Sequence, residues 1–383
     1  MAGSSHPVAS AAAIEHLRWA LTPEIGPVHF GRLIEHFGSL RNALAANATQ
    51  LAGVKGFGRQ TAETVARGRD RADVEGELER AGRCGVRILC REDPEYPPGL
   101  QQIPDAPIVL YVKGRLERQD AVALGIVGAR RCTMYGREQA RRFAHQLAGR
   151  GMTVVSGLAR GVDGEAHKGA MEAGGRTIAV LGNGLSTVYP PEHAGLAERI
   201  VESGALVSAL PMDAAPDSSH FVPRNRIIAG MSLGVLVVEA ARHSGSLKTA
   251  EFASDYNREV FAIPGRIDSE FSRGTNTLIR DQHAKLVCCV EDILEELGGV
   301  GEIVKTIEPD VTVEQTLVAA TVSKLGAEER RVLDALDRQG QSLEALSETT
   351  ELPPSRVASV LVNLQLKGLA RQLPGNQFIR VGS

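Results

Sequence analysis

Apolar positions change their period along the chain, and the changes divide it into regions of different structure. From residue 14 to 80 they recur at helical spacing: Ile14, Leu17, Trp19 and Leu21, then Phe30, Leu33, Ile34 and Phe37. Two glycine punctuations interrupt these helices, Pro23-Glu24-Ile25-Gly26-Pro27 and Val54-Lys55-Gly56-Phe57-Gly58, the second leading into a helix opening at 59–66. Gly-x-Gly before a helix start is how a helix-hairpin-helix points backbone N–H groups at phosphate. It is equally a simple turn in a small bundle, and only Lys55 and Arg59 bring charge to it.

From about residue 85 the pattern turns strand-like, with runs at 86–89 and 108–112 around a proline-rich stretch. Apolar runs of strand length then alternate with helical segments: 123–127, 152–155, 177–181, 205–210, 235–238, 260–263 and 285–288. These runs are continuous and not alternating, as expected for strands buried on both faces of a parallel sheet. The predicted fold class is α/β, a Rossmann-like doubly wound, mostly parallel sheet. Residues 291–318 then hold eight acidic side chains and one basic one, Lys305, which reads as a linker. Helical segments at 328–336, 342–347 and 355–366, with a hairpin around Pro374-Gly375-Asn376, make a winged-helix pattern. The expected organisation is a helical domain over 1–83, the α/β domain over 84–297, an acidic linker over 298–324 and a winged helix over 325–383.

Composition narrows the function. A chain of 383 residues is long enough for two to three domains. Lys+Arg 43 against Asp+Glu 46 gives a net charge of −3, so any polyanion surface must be a local patch. Aromatics at 4% leave little room for base-stacking platforms. Cys84, Cys90, Cys132, Cys288 and Cys289 form no CxxC, which argues against a disulfide framework or zinc site and fits a reducing cytoplasm. No apolar stretch approaches the ~18 residues of a membrane helix, and the first residues lack a basic-then-apolar leader.

The loops after the predicted strands are richer in Gly, Arg, Ser and Asn than connection requires. They contain Gly128-Ala129-Arg130-Arg131, Ser156-Gly157-Leu158-Ala159-Arg160-Gly161-Val162-Asp163 and Gly182-Asn183-Gly184. The next three are Phe221-Val222-Pro223-Arg224-Asn225-Arg226, Arg242-His243-Ser244-Gly245-Ser246-Leu247-Lys248-Thr249 and Pro264-Gly265-Arg266. In an open parallel sheet such loops share the edge outside the carboxyl ends of the strands, where ligands bind. Backbone N–H groups, helix N-termini and the forks of Arg130, Arg160, Arg224 and Arg226, with Lys248, are what phosphates require. A dinucleotide fingerprint fails, because Thr187 stands where its third glycine belongs. Asp163 reads as a helix cap, Glu239 as an arginine partner and His167 as a packing histidine. With no Ser–His–Asp spacing, metal cluster or P-loop, no catalytic residue, cofactor or metal is expected.

Assembled, these motifs resemble the DprA/Smf family, the DNA-processing proteins of bacterial natural transformation. The resemblance rests on 125–130, 156–163, 224–230, 244–250 and Gly274-Thr275-Asn276, in order. It implies a non-enzymatic protein that binds single-stranded DNA, dimerises through the central domain, protects incoming strands and helps load the RecA recombinase. Single-strand-binding protein is a further implied partner, and duplex contact by the N-terminal or winged-helix domain stays open. Carried over by motif, Arg130 and the 156–163 loop line a phosphate pocket, Arg224, Asn225 and Arg226 clamp backbone or a base, and Phe221 stacks. Gly128, Asn183, Gly184, Ser244, Gly245, Ser246, Lys248 and Thr249 complete the expected nucleic-acid site. The family commonly shows Phe-Pro-x-Arg-Asn-Arg, whereas Val222 separates Phe221 from Pro223 here. Few basic residues (Arg356, Lys367) mark the third helix of the winged helix, so a protein-interaction role is as compatible as duplex binding. The alternative class is a nucleotide phosphoribohydrolase of the lysine-decarboxylase-like superfamily. Its Pro-Gly-Gly-x-Gly-Thr-x-x-Glu motif is approached at 243–251, with Glu251 in the catalytic position but without the Gly-Gly-x-Gly core.

Overall fold

Serine and asparagine before apolar-periodic runs start the N-terminal helices. Ser10 accepts the Ala13 N–H at the head of α1 (Ala11–Ala20). α2 (Pro27–Phe37) ends on Gly38 in the left-handed region. Ser39 caps α3 (Leu40–Ala45), and Asn47 with Gln50 forms a reciprocal capping box at α4 (Ala48–Leu51). α5 (Arg59–Arg71) and α6 (Val74–Arg83) follow. The computed structural model describes residues 8–298, 325–337, 340–366, 369–373 and 377–380. The expected linker beyond residue 298, the Pro374-Gly375-Asn376 turn and Lys367 lie outside the described residues. The chain divides into two units, Met1–Ile293 and Leu294–Ser383.

Nine strands form the sheet of the first unit: β1 (Val86–Cys90), β2 (Val109–Gly114), β3 (Ala123–Val127), β4 (Thr153–Ser156), β5 (Thr177–Val180), β6 (Ala205–Ser208), β7 (Gly234–Val237), β8 (Glu259–Ala262) and β9 (Lys285–Leu286). Their order is β1-β2-β6-β5-β4-β3-β7-β8-β9. All neighbours from β6 to β9 are parallel, while β1 and β2 extend the sheet antiparallel. Between strands lie α7 (Pro98–Gln101), α8 (Met134–Ala148), α9 (Val162–Glu172), α10 (Ala194–Ser203), α11 (Ser218–Met231), α12 (Gly245–Asp255) and α13 (Arg273–Arg280), and α14 (Val290–Glu296) follows β9.

Successive strand residues enter opposite cores, which is why the runs are apolar throughout. Ala179 packs with Leu17, Trp19, Val65 and Ala81 of the N-terminal helices, so those helices share a core with the sheet. Its neighbours Ile178 and Val180 pack with Ile227 and Ile228 of α11 and Ala250 of α12 on the other face. From β3 the chain winds outward to β6, and α11 then returns it to β7 on the far side of β3. The order reverses between β3 and β7, the switch point where an open α/β sheet leaves a crevice.

The stretch expected as a loop after the fourth of these strands is instead helix α11, with Asp217 capping it and Pro223 inside it. In the second unit, α15 (Ala327–Ala335), α16 (Leu343–Thr350) and α17 (Pro354–Leu366) pack Leu333, Leu346 and Leu361 against Phe378. Phe378 belongs to a small sheet of β10 (Gln341–Ser342), β11 (Ala370–Leu373) and β12 (Gln377–Arg380), ordered β10-β12-β11. This is the winged helix the sequence predicts.

Candidate functional site

At the switch point the carboxyl ends of β3 and β7 open into a cleft of about 780 Å³. Its walls come from the loops after β3, β7 and β8, the start of α9, and one face of α11 and α12. Of the predicted site residues, Gly128, Arg130, Ala159, Asp163, Phe221, Arg224, Asn225, Ser244, Gly245, Ser246 and Thr249 line it.

The deep end is built from buried polar groups. Arg224 is 6% exposed, and its Nη1 donates to the carbonyls of Gly157, at 2.6 Å, and Val180. It thereby fastens together the ends of β4 and β5. Burial lowers its guanidinium to about 10, with the Asp163 charge opposing the shift. A Cβ at Gly157 would stand 2.2 Å from that same nitrogen, so any side chain there displaces the Arg224 guanidinium from these bonds. Asn225 donates to the Gly245 carbonyl at 3.1 Å and so ties α11 to the head of α12. There Ser244 is the N-cap, its hydroxyl 2.8 Å from that of Ser246. One turn further in, Thr249 is 1% exposed and its hydroxyl has no hydrogen-bond partner. A helix N-terminus with an unmatched buried hydroxyl is a place for an anion.

Charge is concentrated at the mouth. Arg130, Arg131, Arg242 and Arg273 line the cleft, and among the described residues none of them has a carboxylate ion-pair partner. Arg130 lies over the Phe221 ring at 4.6 Å, holding an aromatic face beside a cation. Asp163 is buried opposite Arg130 and Arg224. Burial pushes its carboxyl up, against the pull of Arg224. It accepts the Ala159 N–H at 3.3 Å, closing the 157–161 loop, which differs from the helix cap expected for it.

Ser156, Gly157 and Gly161 lie beneath the cleft as supports. The Ser156 hydroxyl donates to the Ile126 carbonyl at 2.6 Å, joining β4 to β3. Gly161 sits at φ 76, and a Cβ there would meet the Ala129 carbonyl at 2.3 Å. Four predicted residues point elsewhere. Arg226 donates to the carbonyl and carboxylate of Asp105, the latter at 3.0 Å. Arg160 pairs with Glu192, and Lys248 with Glu251 at 2.6 Å. Asn183 turns back to the carbonyls of Gly184 and Thr187, both at 2.9 Å, so the Asn183–Gly184 loop closes on itself. Arg224, Asn225 and Arg226 are consecutive on a helix, which fans their side chains out: Arg224 and Asn225 border the cleft while Arg226 turns away to Asp105.

Among the described residues, Glu239 pairs with no arginine. It accepts from the Thr133 amide at 2.9 Å and hydroxyl at 2.7 Å, fixing the start of α8. His167 is fully buried against Thr177 at 2.7 Å, and burial lowers it to about 3. Sequence reasoning left Arg131, Arg242 and Arg273 out of the site. Arg131 and Arg242 are signalled by their places in the Gly/Ser/Arg loops. Arg273 stands immediately before Gly274-Thr275-Asn276, and the packing of α13 brings it to the mouth.

The family model described as DNA recombination-mediator protein A matches residues 87–298, more than half of the chain. The chain belongs to the DprA/Smf family. Models for a DprA-like N-terminal HHH domain and a DprA winged helix domain match residues 10–67 and 318–376. Protein Smf of Synechocystis is 33% identical over 389 residues, covering 95% of this chain and 98% of that one. Protein Smf of Escherichia coli is 42% identical over 288 residues, 75% of each chain. The solved DNA processing protein A of Streptococcus pneumoniae is 31% identical with a TM-score of 0.65, covering 75% of this chain and 98% of that one. The DprA/Smf member from Helicobacter pylori, whose structure concerns its single-stranded DNA binding mode, is 29% identical with a TM-score of 0.50 over 55% of this chain and 95% of that one.

Proposed function

We propose that this protein binds single-stranded DNA, with little sequence preference, in the cleft at the β3–β7 switch point. The observation that carries the reading is the set of four arginines that, among the described residues, have no carboxylate partner, around a helix N-terminus with a buried hydroxyl left without a hydrogen-bond partner there. Such groups hold phosphates, and contacts to phosphate carry no sequence information. Phe221 offers one ring face for stacking, held by Arg130. Family membership supports the wider role: a non-enzymatic protein of natural transformation and recombination that protects the strand and passes it to RecA, with single-strand-binding protein as a further partner. The phosphoribohydrolase alternative gains nothing from the geometry, since Glu251 is exposed, paired with Lys248 and outside the cleft.

A homodimer through the α/β domain belongs to the same proposal. Strand β9 ends the sheet, with Leu286 45% exposed, and on α8 Met134 and Tyr135 are 71% and 45% exposed. Two linked clefts multiply affinity for one strand without a new contact.

The test is fluorescence anisotropy with labelled oligonucleotides on Arg130→Ala and Arg242→Ala. Each removes a charge-assisted contact of about 1.5–3 kcal/mol, roughly ten- to a hundredfold in affinity. Undiminished binding by both folded variants is the result that refutes the cleft.

A further inference from the structure

A second depression lies against the N-terminal helices. This crevice, of about 590 Å³, opens where α5 and α6 meet the segment between β6 and α11, and among the described residues it shares no lining residue with the cleft. Its size is that of a small-molecule site, about 300–1,000 Å³. Close contacts fix its walls. Gly68 of α5 lies against the α1–α2 turn, where a Cβ would stand 2.6 Å from the Pro23 Cδ. Glu77 of α6 is 2% exposed and accepts the Met212 N–H at 2.6 Å, which fastens α6 to the β6–α11 segment.

Charge in the crevice is divided into two groups. Arg80 meets three carboxylates, Glu77 at 3.0 Å, Asp73 at 3.3 Å and Asp213 at 3.6 Å. One guanidinium cannot neutralise three carboxylates, so a negative excess remains beside it. Glu77 is spent on Met212, and Asp73 caps α6 by accepting the Gly76 N–H at 3.0 Å. Asp213 is exposed and holds Arg80 only at arm's length, which leaves its oxygens open to a donor. Arg67 and Arg71 line the same crevice one turn apart on α5, and among the described residues neither has a carboxylate ion-pair partner. Leu21, Pro23 and Pro211 supply apolar surface. A pair of guanidinium forks, apolar plates and a carboxylate acceptor are the complement of a phosphate group, a flat ring and an amino donor.

We propose that this crevice binds a free nucleotide with an amino-bearing base, its phosphates on Arg67 and Arg71, its base against Pro23 and Pro211 and its amino group on Asp213. Guanidinium forks match phosphate oxygens in pairs. A carboxylate accepts from the amino group of cytosine and opposes the carbonyl oxygen that uracil or thymine presents at the same ring position. The site therefore prefers cytosine to uracil when sugar and phosphates are the same. The occupant bridges α5 and the β6–α11 segment. This inference stands apart from the single-strand reading, because the two depressions are built from different residues.

The experiment is isothermal titration of the full chain with CDP, UDP and pyrophosphate. It is run on the wild type and on the Arg130→Ala/Arg242→Ala double variant, whose cleft lacks two of its cations. The expected result is the same CDP affinity in both proteins, about tenfold or more above that for UDP and for pyrophosphate. Arg71→Glu, at an exposed position of α5, weakens CDP about tenfold or more. Asp213→Asn weakens CDP and strengthens UDP, bringing the two within about twofold. Opposite changes for two nucleotides that differ at one ring position are not a folding defect. Equal affinity for CDP and UDP in the wild type overturns the proposal, as does pyrophosphate binding as tightly as CDP or no binding of any of the three. CDP affinity that survives Arg71→Glu, or a CDP preference that survives Asp213→Asn, overturns it too. Binding present in the wild type and lost in the double variant assigns the nucleotide to the cleft and likewise overturns it.

Discussion

Two arginines of the predicted site differ in what they hold. Arg130 is exposed at the mouth, whereas Arg224 is buried and spends its donors on the Gly157 and Val180 carbonyls. Arg224→Ala leaves both carbonyls without that partner, and hydrogen bonds to charged groups contribute about 1.5–3 kcal/mol each. The expected outcome is a thermal midpoint lowered by several degrees, while Arg130→Ala melts like the parent. Equal midpoints for both variants contradict this division. His167 supplies a pH signature. Burial lowers its folded-state value to about 3, against 6.5 for the free side chain. As pH falls below 6.5 the unfolded chain takes up a proton that the folded chain refuses, so stability drops by about 1.4 kcal/mol per pH unit until about pH 3. His167→Gln, placed to keep the bond to Thr177, is expected to remove that slope. Denaturant unfolding of parent and variant at pH 6.5 and 4.5 checks it, and parallel losses in both proteins refute it.

At the scale of elements, α11 shows why a motif read as one unit separates in three dimensions. Its arginine–asparagine–arginine run turns successive side chains toward the β4–β5 ends, the head of α12 and Asp105. Asp105 also accepts from Tyr256 at 2.6 Å, so Arg226 helps hold α11 and α12 in register from behind. Arg226→Gln is therefore expected to weaken DNA binding by loosening the cleft while leaving the slope of log affinity against log salt unchanged. Arg242→Gln is expected to reduce that slope by about 0.7. A reduced slope for Arg226→Gln places it on a phosphate. Periodicity located β3 to β8 because double-face burial leaves a continuous apolar run, whereas both residues of the edge strand β9 are exposed. It missed α11 as a helix because Pro223 and a polar first turn imitate a loop.

At the scale of the molecule, the third helix of the winged helix has, among the described residues, little to offer a phosphate backbone. Arg356, the basic residue among the described positions of α17, is paired with Glu328 at 3.0 Å, and the same helix exposes Val362. Truncation after Gly298 is expected to leave single-strand affinity and its salt slope as in the full chain. A slope that falls by one contact or more assigns the winged helix a share of the DNA. The sequence by itself determined the fold class, the order of the elements and the edge of the sheet where the cleft opens. Hydrophobic period reports burial, and glycine- and arginine-rich loops in a parallel sheet must gather at the carboxyl ends. Tertiary structure decided which arginines lack a carboxylate partner among the described residues. Arg160, Arg226 and Lys248 are spent on Glu192, Asp105 and Glu251, while Arg131, Arg242 and Arg273 are left to the cleft. The pairs of Arg160 with Glu192 and of Arg226 with Asp105 depend on approaches across distant parts of the chain that no local pattern encodes, whereas Lys248 and Glu251 are neighbours three residues apart on one helix.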